Sequence, residues 1–108
     1  MKKDTGCLAV FVTCASLKEA RKIARILVEE KAAACASLTA GVESLYWWEG
    51  KIERAGEVLL SAKTTRTRFP RLAALVRQNH SYQVPEIIAL PIAAGSRPYL
   101  DWIEQSLR

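Results

Sequence analysis

The sequence predicts an α+β domain of the ferredoxin-like, split-βαβ kind, an antiparallel sheet with an extended central β-hairpin. Three observations carry that prediction. Apolar and amphipathic segments follow one another in the order β-α-β-β-α-β, with one more helix at the C-terminus. A continuous hairpin pattern runs from Ala32 to Thr65, its arms each well over ten residues where about 5–6 is usual. And 108 residues suffice for one core, so residues 1–108 are read as a single domain.

Cys7–Cys14 (CLAVFVTC) is apolar at nearly every position, as a strand buried on both faces is. Basic residues ahead of this run imitate a secretory signal, but the run is short and leads straight into a helix start, so it reads as a first strand. Ser16-Leu17-Lys18-Glu19 forms a capping box, the serine accepting from an early helix N–H and the glutamate reaching back. Ala20, Ile23, Ala24, Leu27 and Val28 then recur at helical spacing opposite Lys18, Arg21, Lys22, Arg25 and Glu29, which predicts an amphipathic helix to about Lys31.

The hairpin follows. Cys35, Leu38, Val42, Leu45, Tyr46, Trp47 and Trp48 lead to a tip at Glu49-Gly50, and Ile52, Val58, Leu59, Leu60 and Ala62 lead away. Pro70 suits the first turn of a second helix, with Phe69, Leu72, Ala73 and Val76 on its buried stripe and its end near Asn79. His80–Pro85 is a loop, since Pro85 forces Val84 into an extended conformation. Glu86–Leu90 is a fourth strand that Pro91 ends or turns into an edge. Gly95-Ser96-Arg97-Pro98 opens a last helix, Tyr99–Leu107, with Leu100, Ile103 and Leu107 on one side.

With half the residues hydrophobic and a quarter charged, the chain is an ordinary globule and not a disordered one. Its net charge of +5 is spread along the sequence, and the only local cluster is Arg66, Arg68 and Arg71. A solvated face or a small-anion site explains that cluster as well as nucleic acid does, so no nucleic-acid partner is expected. No run approaches the ~20 apolar residues of a membrane span, and no membrane partner is expected either. Three cysteines make no disulfide framework; Cys7 and Cys14 lie ~23 Å apart on one strand. That usage fits a reducing, cytoplasmic compartment.

A hairpin this long outreaches any sheet the domain builds for itself. Tyr46, Trp47 and Trp48 at its end are more than a small monomer covers, and burying each contributes roughly 2–3 kcal/mol. Contacts between copies of the chain are therefore expected there, with an aromatic binding platform as the rival reading. Glu57 and Lys63 are charges on an otherwise apolar strand, on one face but ~20 Å apart. They cannot pair with each other, so each needs another partner, such as a neighbouring subunit. With Tyr82 and Glu86 they outline a subunit-interface cleft, either a salt-bridge network or a ligand pocket.

The segments CASLTAGVESLYWWEGKIE, KTT, HSYQVPEIIALPI and YLDWI resemble the CutA divalent-cation-tolerance family, and the likeness runs from Val10 to Arg108. The resemblance implies a homotrimer with a ferredoxin-like core, similar to the PII signalling proteins, in which long hairpins wrap neighbouring subunits. It also implies copper, bound through a cysteine at the end of the first strand and adjacent histidines before a Tyr-Gln-x-Pro-Glu loop. On this chain those positions are Cys14 and His80, with Asn79 where a second histidine is expected. Thiolate with imidazole suits Cu(I) or Zn, and Cu(II) binds most tightly of the first-row divalent ions. Two ligands fall short of the usual four, so backbone, water or another subunit would have to supply the rest. The bland alternative makes Cys14 a small buried apolar residue and His80 a loop residue.

The expected function is therefore a non-catalytic homotrimer of metal-ion tolerance that binds copper or another divalent cation weakly. The runner-up is a trimeric PII-like scaffold or sensor that takes a small ligand or protein partner between subunits. An enzyme is not expected: no phosphate loop, G-x-S-x-G or H-E-x-x-H is present, and Cys14 and His80 lack a third group to orient them. An RNA-binding domain of the same strand order would carry stacking aromatics on its central strands, whereas here they sit at the hairpin tip.

Overall fold

The computed structural model describes residues 4–108. Its elements are β1 (Cys7–Cys14), α1 (Leu17–Glu29), β2 (Cys35–Trp48), β3 (Lys51–Thr65), α2 (Phe69–Asn79), β4 (Ile87–Pro91) and α3 (Arg97–Ser106). The strands form one sheet in the order β2-β3-β1-β4, every neighbouring pair antiparallel. This is the ferredoxin-like topology: β3 inserts between the parallel strands β1 and β2.

Alternation along β1 and β3 sets the core. Val10, Val12 and Cys14 of β1, with Val58, Leu60 and Ala62 of β3, pack against Ile23 and Leu27 of α1 and Leu72 and Val76 of α2. Cys7 belongs to the opposite alternation of β1 and is buried instead by Leu100, Ile103 and Leu107, so α3 caps one end of the second face. The rest of that face is open: Ile88 and Leu90 of the edge strand β4 stay exposed.

Boundaries shift where glycine and proline signals mislead. α1 ends at Glu29, two residues short of the periodic pattern, because Lys31 takes a left-handed conformation (φ 55°). The N–H groups of residues 30–33 then turn back onto the carbonyls of Ile26, Leu27 and Val28, closing the helix as a glycine would. α3 starts two residues early, with Pro98 already in its first turn.

Two features of the hairpin position the site. Glu49 (φ 48°) and Gly50 (φ 78°) both adopt positive φ, the two-residue turn whose twist matches that of the strands. Between Thr39, opposite Leu59, and Val42, opposite Glu57, β2 carries one extra residue, with Gly41 at φ 79°. That bulge changes which side chains share a face. Before it Leu38 lies across from core residue Leu60; after it the even-numbered residues Ser44, Tyr46 and Trp48 fall on the side of Glu57. Beyond the bulge the hairpin runs uncovered, with Trp47 73% and Trp48 54% exposed.

The arginine cluster has internal partners. Arg66 pairs with Asp4 and Arg71 with Glu30, while Arg68 donates to the carbonyls of Leu107 and Lys31. These bonds tie the C-terminal residues and the α1–β2 turn to the start of α2.

Candidate functional site

Three donors converge where β1 ends. Cys14 is its last residue, and α1 starts three residues later with Ser16 as cap, its hydroxyl accepting from the Glu19 N–H at 3.1 Å. This sharp strand-to-helix turn brings Glu19 over Cys14. From the far end of α2, the segment after Asn79 delivers His80. The Cys14 thiol, a Glu19 carboxylate oxygen and a His80 ring nitrogen lie within 4.8 Å of one another.

Two of the three donors already have work inside the molecule. One Glu19 oxygen accepts from the Ala15 N–H at 3.3 Å and the other from the Ser81 N–H at 2.9 Å. The His80 side chain is fully buried. Its Nδ1 accepts from the Tyr82 N–H at 3.0 Å, and its Nε2 lies 2.7 Å from the Thr13 carbonyl. Since a backbone N–H only donates and a carbonyl only accepts, the ring hydrogen belongs on Nε2. Burial, reinforced by Glu19 and Glu57, pushes the Cys14 thiol up to about 11. For Glu19 burial works against ionisation, but the hydrogen bonds from Ser81 and Ala15, with His80 nearby, outweigh it and hold the carboxyl below its ordinary range.

In kind and spacing the donors fit a thiophilic divalent cation: one sulfur, one nitrogen, one oxygen, the three protein ligands that leave a fourth position open. Binding one would displace the thiol proton and one of the two His80 hydrogen bonds. Asn79 does not join the cluster; its side-chain amide donates to the Leu75 carbonyl at 2.8 Å and closes the end of α2. In the sequence Glu19 reads only as a helix cap. The signal lay in its position, five residues after Cys14 across a turn too short to carry it elsewhere.

The second site is a cleft of about 900 Å³ on the open side of the sheet, between the hairpin and the segment that follows α2. Glu57, Tyr82 and Glu86 line it, joined by Thr13, Tyr46 and Trp48. Two further acids, Glu43 and Glu53, bring the carboxylates to four, and among the described residues no lysine or arginine lines it. The Tyr82 hydroxyl donates to Glu57 Oε2 at 2.9 Å. Burial, then that bond and the Glu57 charge, push the phenol up to about 12. Through its N–H on His80 and its hydroxyl on Glu57, Tyr82 joins the two sites.

Lys63 is the predicted cleft residue that the structure sets apart. It lies opposite Ala9 and Cys35, at the α3 end of β3. Six residues of strand separate it from Glu57, ~20 Å at the usual rise. Tyr46 and Trp48 line the cleft, whereas Trp47 points to the other side of the hairpin and is the most exposed of the three.

Residues 8–106 match the family model of the CutA1 divalent ion tolerance protein. The divalent-cation tolerance protein CutA of Thermus thermophilus is 47% identical over 90% of this chain and 94% of its own length. Mouse protein CutA is also 47% identical over 90% of this chain, but the chain spans only 55% of the mouse protein. The solved Thermus thermophilus CutA1 structure superposes with a TM-score of 0.91, at 46% identity over 93% of this chain and 97% of that one. The CutA1 structure from Oryza sativa gives the same TM-score at 41% identity, over 94% of both chains. Matched over nearly its whole length in sequence and fold, the chain belongs to the CutA1 divalent ion tolerance protein family.

Proposed function

We propose that the protein acts in divalent-cation tolerance as a non-catalytic homotrimer that takes up a divalent cation, copper foremost, weakly at Cys14, Glu19 and His80. The observation that carries this reading is the meeting of sulfur, oxygen and nitrogen donors within 4.8 Å at the end of β1. Weak binding follows from what occupancy displaces: a thiol proton held up to about 11 and a hydrogen bond of a buried imidazole. Affinity rises with pH, because each cation bound at the thiolate releases a proton. The trimer is supported by the open sheet face and by tip aromatics left uncovered in one chain. A cytoplasmic setting is part of the proposal and rests on three unpaired cysteines.

The test is Cu(II) titration of the wild type and of Cys14→Ala with His80→Ala. Loss of saturable copper uptake with assembly intact supports the site, and unchanged uptake sinks it. The second reading, a PII-like scaffold or sensor, is favoured by one observation, the cleft lined by four carboxylates and three aromatic rings. It predicts copper uptake indifferent to the double substitution.

A further inference from the structure

The cleft has an unbalanced charge. Glu57 is 9% exposed, yet its one hydrogen bond comes from the neutral Tyr82 hydroxyl to Oε2, which leaves Oε1 without a protein partner where the residue lines the cleft. A carboxylate offers about four acceptor positions, so most of its capacity is unused. Among the described residues the ion pairs are Arg25–Glu29, Arg66–Asp4, Arg71–Glu30 and His80–Glu19, and none reaches Glu57. The other charges around the cleft, Glu43, Glu53 and Glu86, have the same sign and make the burial worse. Such a group is expensive unless a cation meets it.

Lys63 presents the complementary problem. It stands on the same face of β3, half-buried beside Ala9 and Cys35, and has no ion-pair partner among the described residues. Within one chain the ~20 Å between them exceeds any lysine's reach. A cyclic assembly joins two different patches of its subunits, one supplying the surface that the other lacks. This face carries such a pair, an acidic end at Glu57 and a basic end at Lys63.

We propose that Lys63 of a second copy of this chain enters the cleft and pairs with Glu57, so that the site is complete only between subunits. The proposal rests on the trimer reading above. It makes the cleft a composite pocket, with Tyr82, Glu57 and Glu86 from one chain and an ammonium from the next.

A double-mutant cycle on the full chain tests it, with trimer dissociation followed by native mass spectrometry over a concentration series. Glu57→Gln and Lys63→Met each shift the midpoint of dissociation at least tenfold, while the double variant costs little more than either alone. The swap of Glu57→Lys with Lys63→Glu recovers part of the loss. Independent, additive effects overturn the pairing. So does a trimer indifferent to Lys63→Met but stabilised by free spermidine in a Glu57-dependent way, which makes the occupant a free cation. Should the Glu57 variants fail to fold, carbodiimide on the wild type decides. A Glu57–Lys63 amide bond between copies supports the pairing, and its absence from a trimer whose other lysines crosslink overturns it. A monomeric wild type removes the assembly reading as well, whereas an intact trimer without coupling removes this proposal alone.

Discussion

Tyr82 is the residue on which the candidate chemistry turns. Its backbone N–H fixes the His80 ring, and its hydroxyl holds one oxygen of Glu57. Tyr82→Phe keeps the ring and strips the donor from Glu57; leaving a buried acceptor unpaired costs about 1–3 kcal/mol, measurable by urea denaturation. Cys14 gives a pH signature. Its thiol is pushed up to about 11, so the stability it contributes is full below the ordinary value near 9 and is lost as pH rises through 11. Between pH 8 and 11 the wild type should lose roughly 2 kcal/mol more than Cys14→Ala in paired denaturation curves. At this scale the sequence is partly legible. Cys14 and His80 come from the family pattern and do meet, and Glu57 declares itself as a charge on an apolar strand. Glu19 is hidden because a capping glutamate has a sufficient local explanation, and the role of Tyr82 depends on a contact 25 residues away.

The hairpin sets how those residues face. Its length and its Glu49-Gly50 tip are legible because a two-residue turn with positive φ needs glycine or a tolerant neighbour. The bulge at residues 40–41 is not, since one extra residue leaves an apolar-polar alternation looking continuous on both sides. Yet it is what puts Tyr46 and Trp48 on the side of Glu57. Gly41 sits at φ 79° with open space around its Cβ direction, so a substituent there meets backbone strain and no clash. Gly41→Val should cost about 1–3 kcal/mol in thermal or urea unfolding and weaken assembly with it; an unchanged protein would mean the bulge is not a constraint. Trp47→Ala with Trp48→Ala tests the tip. Both rings are largely exposed in one chain, so their loss should leave the monomer fold intact by circular dichroism while shifting the proposed trimer toward monomer.

For the whole molecule, the strand order and the two helices on one face follow from apolar periodicity, because those patterns report burial within a single chain. What they do not report is where opposite charges lie once the sheet is assembled. The net charge of +5 hides an acidic cleft at one end of the open face and a lysine at the other. The arginine cluster, which in sequence is compatible with an anion site, serves instead to hold the C-terminal residues and the α1–β2 turn in place. Among the described residues no helix is long and apolar enough to cross a membrane. Native mass spectrometry of the apo protein, with and without a low excess of Cu(II), tests the proposed trimer and its cation site at the end of β1 together. The expected result is a trimer that takes up copper to a saturable stoichiometry of one per chain and loses that uptake in Cys14→Ala with His80→Ala. A monomer, or scattered non-saturating copper that the double substitution leaves unchanged, would contradict it.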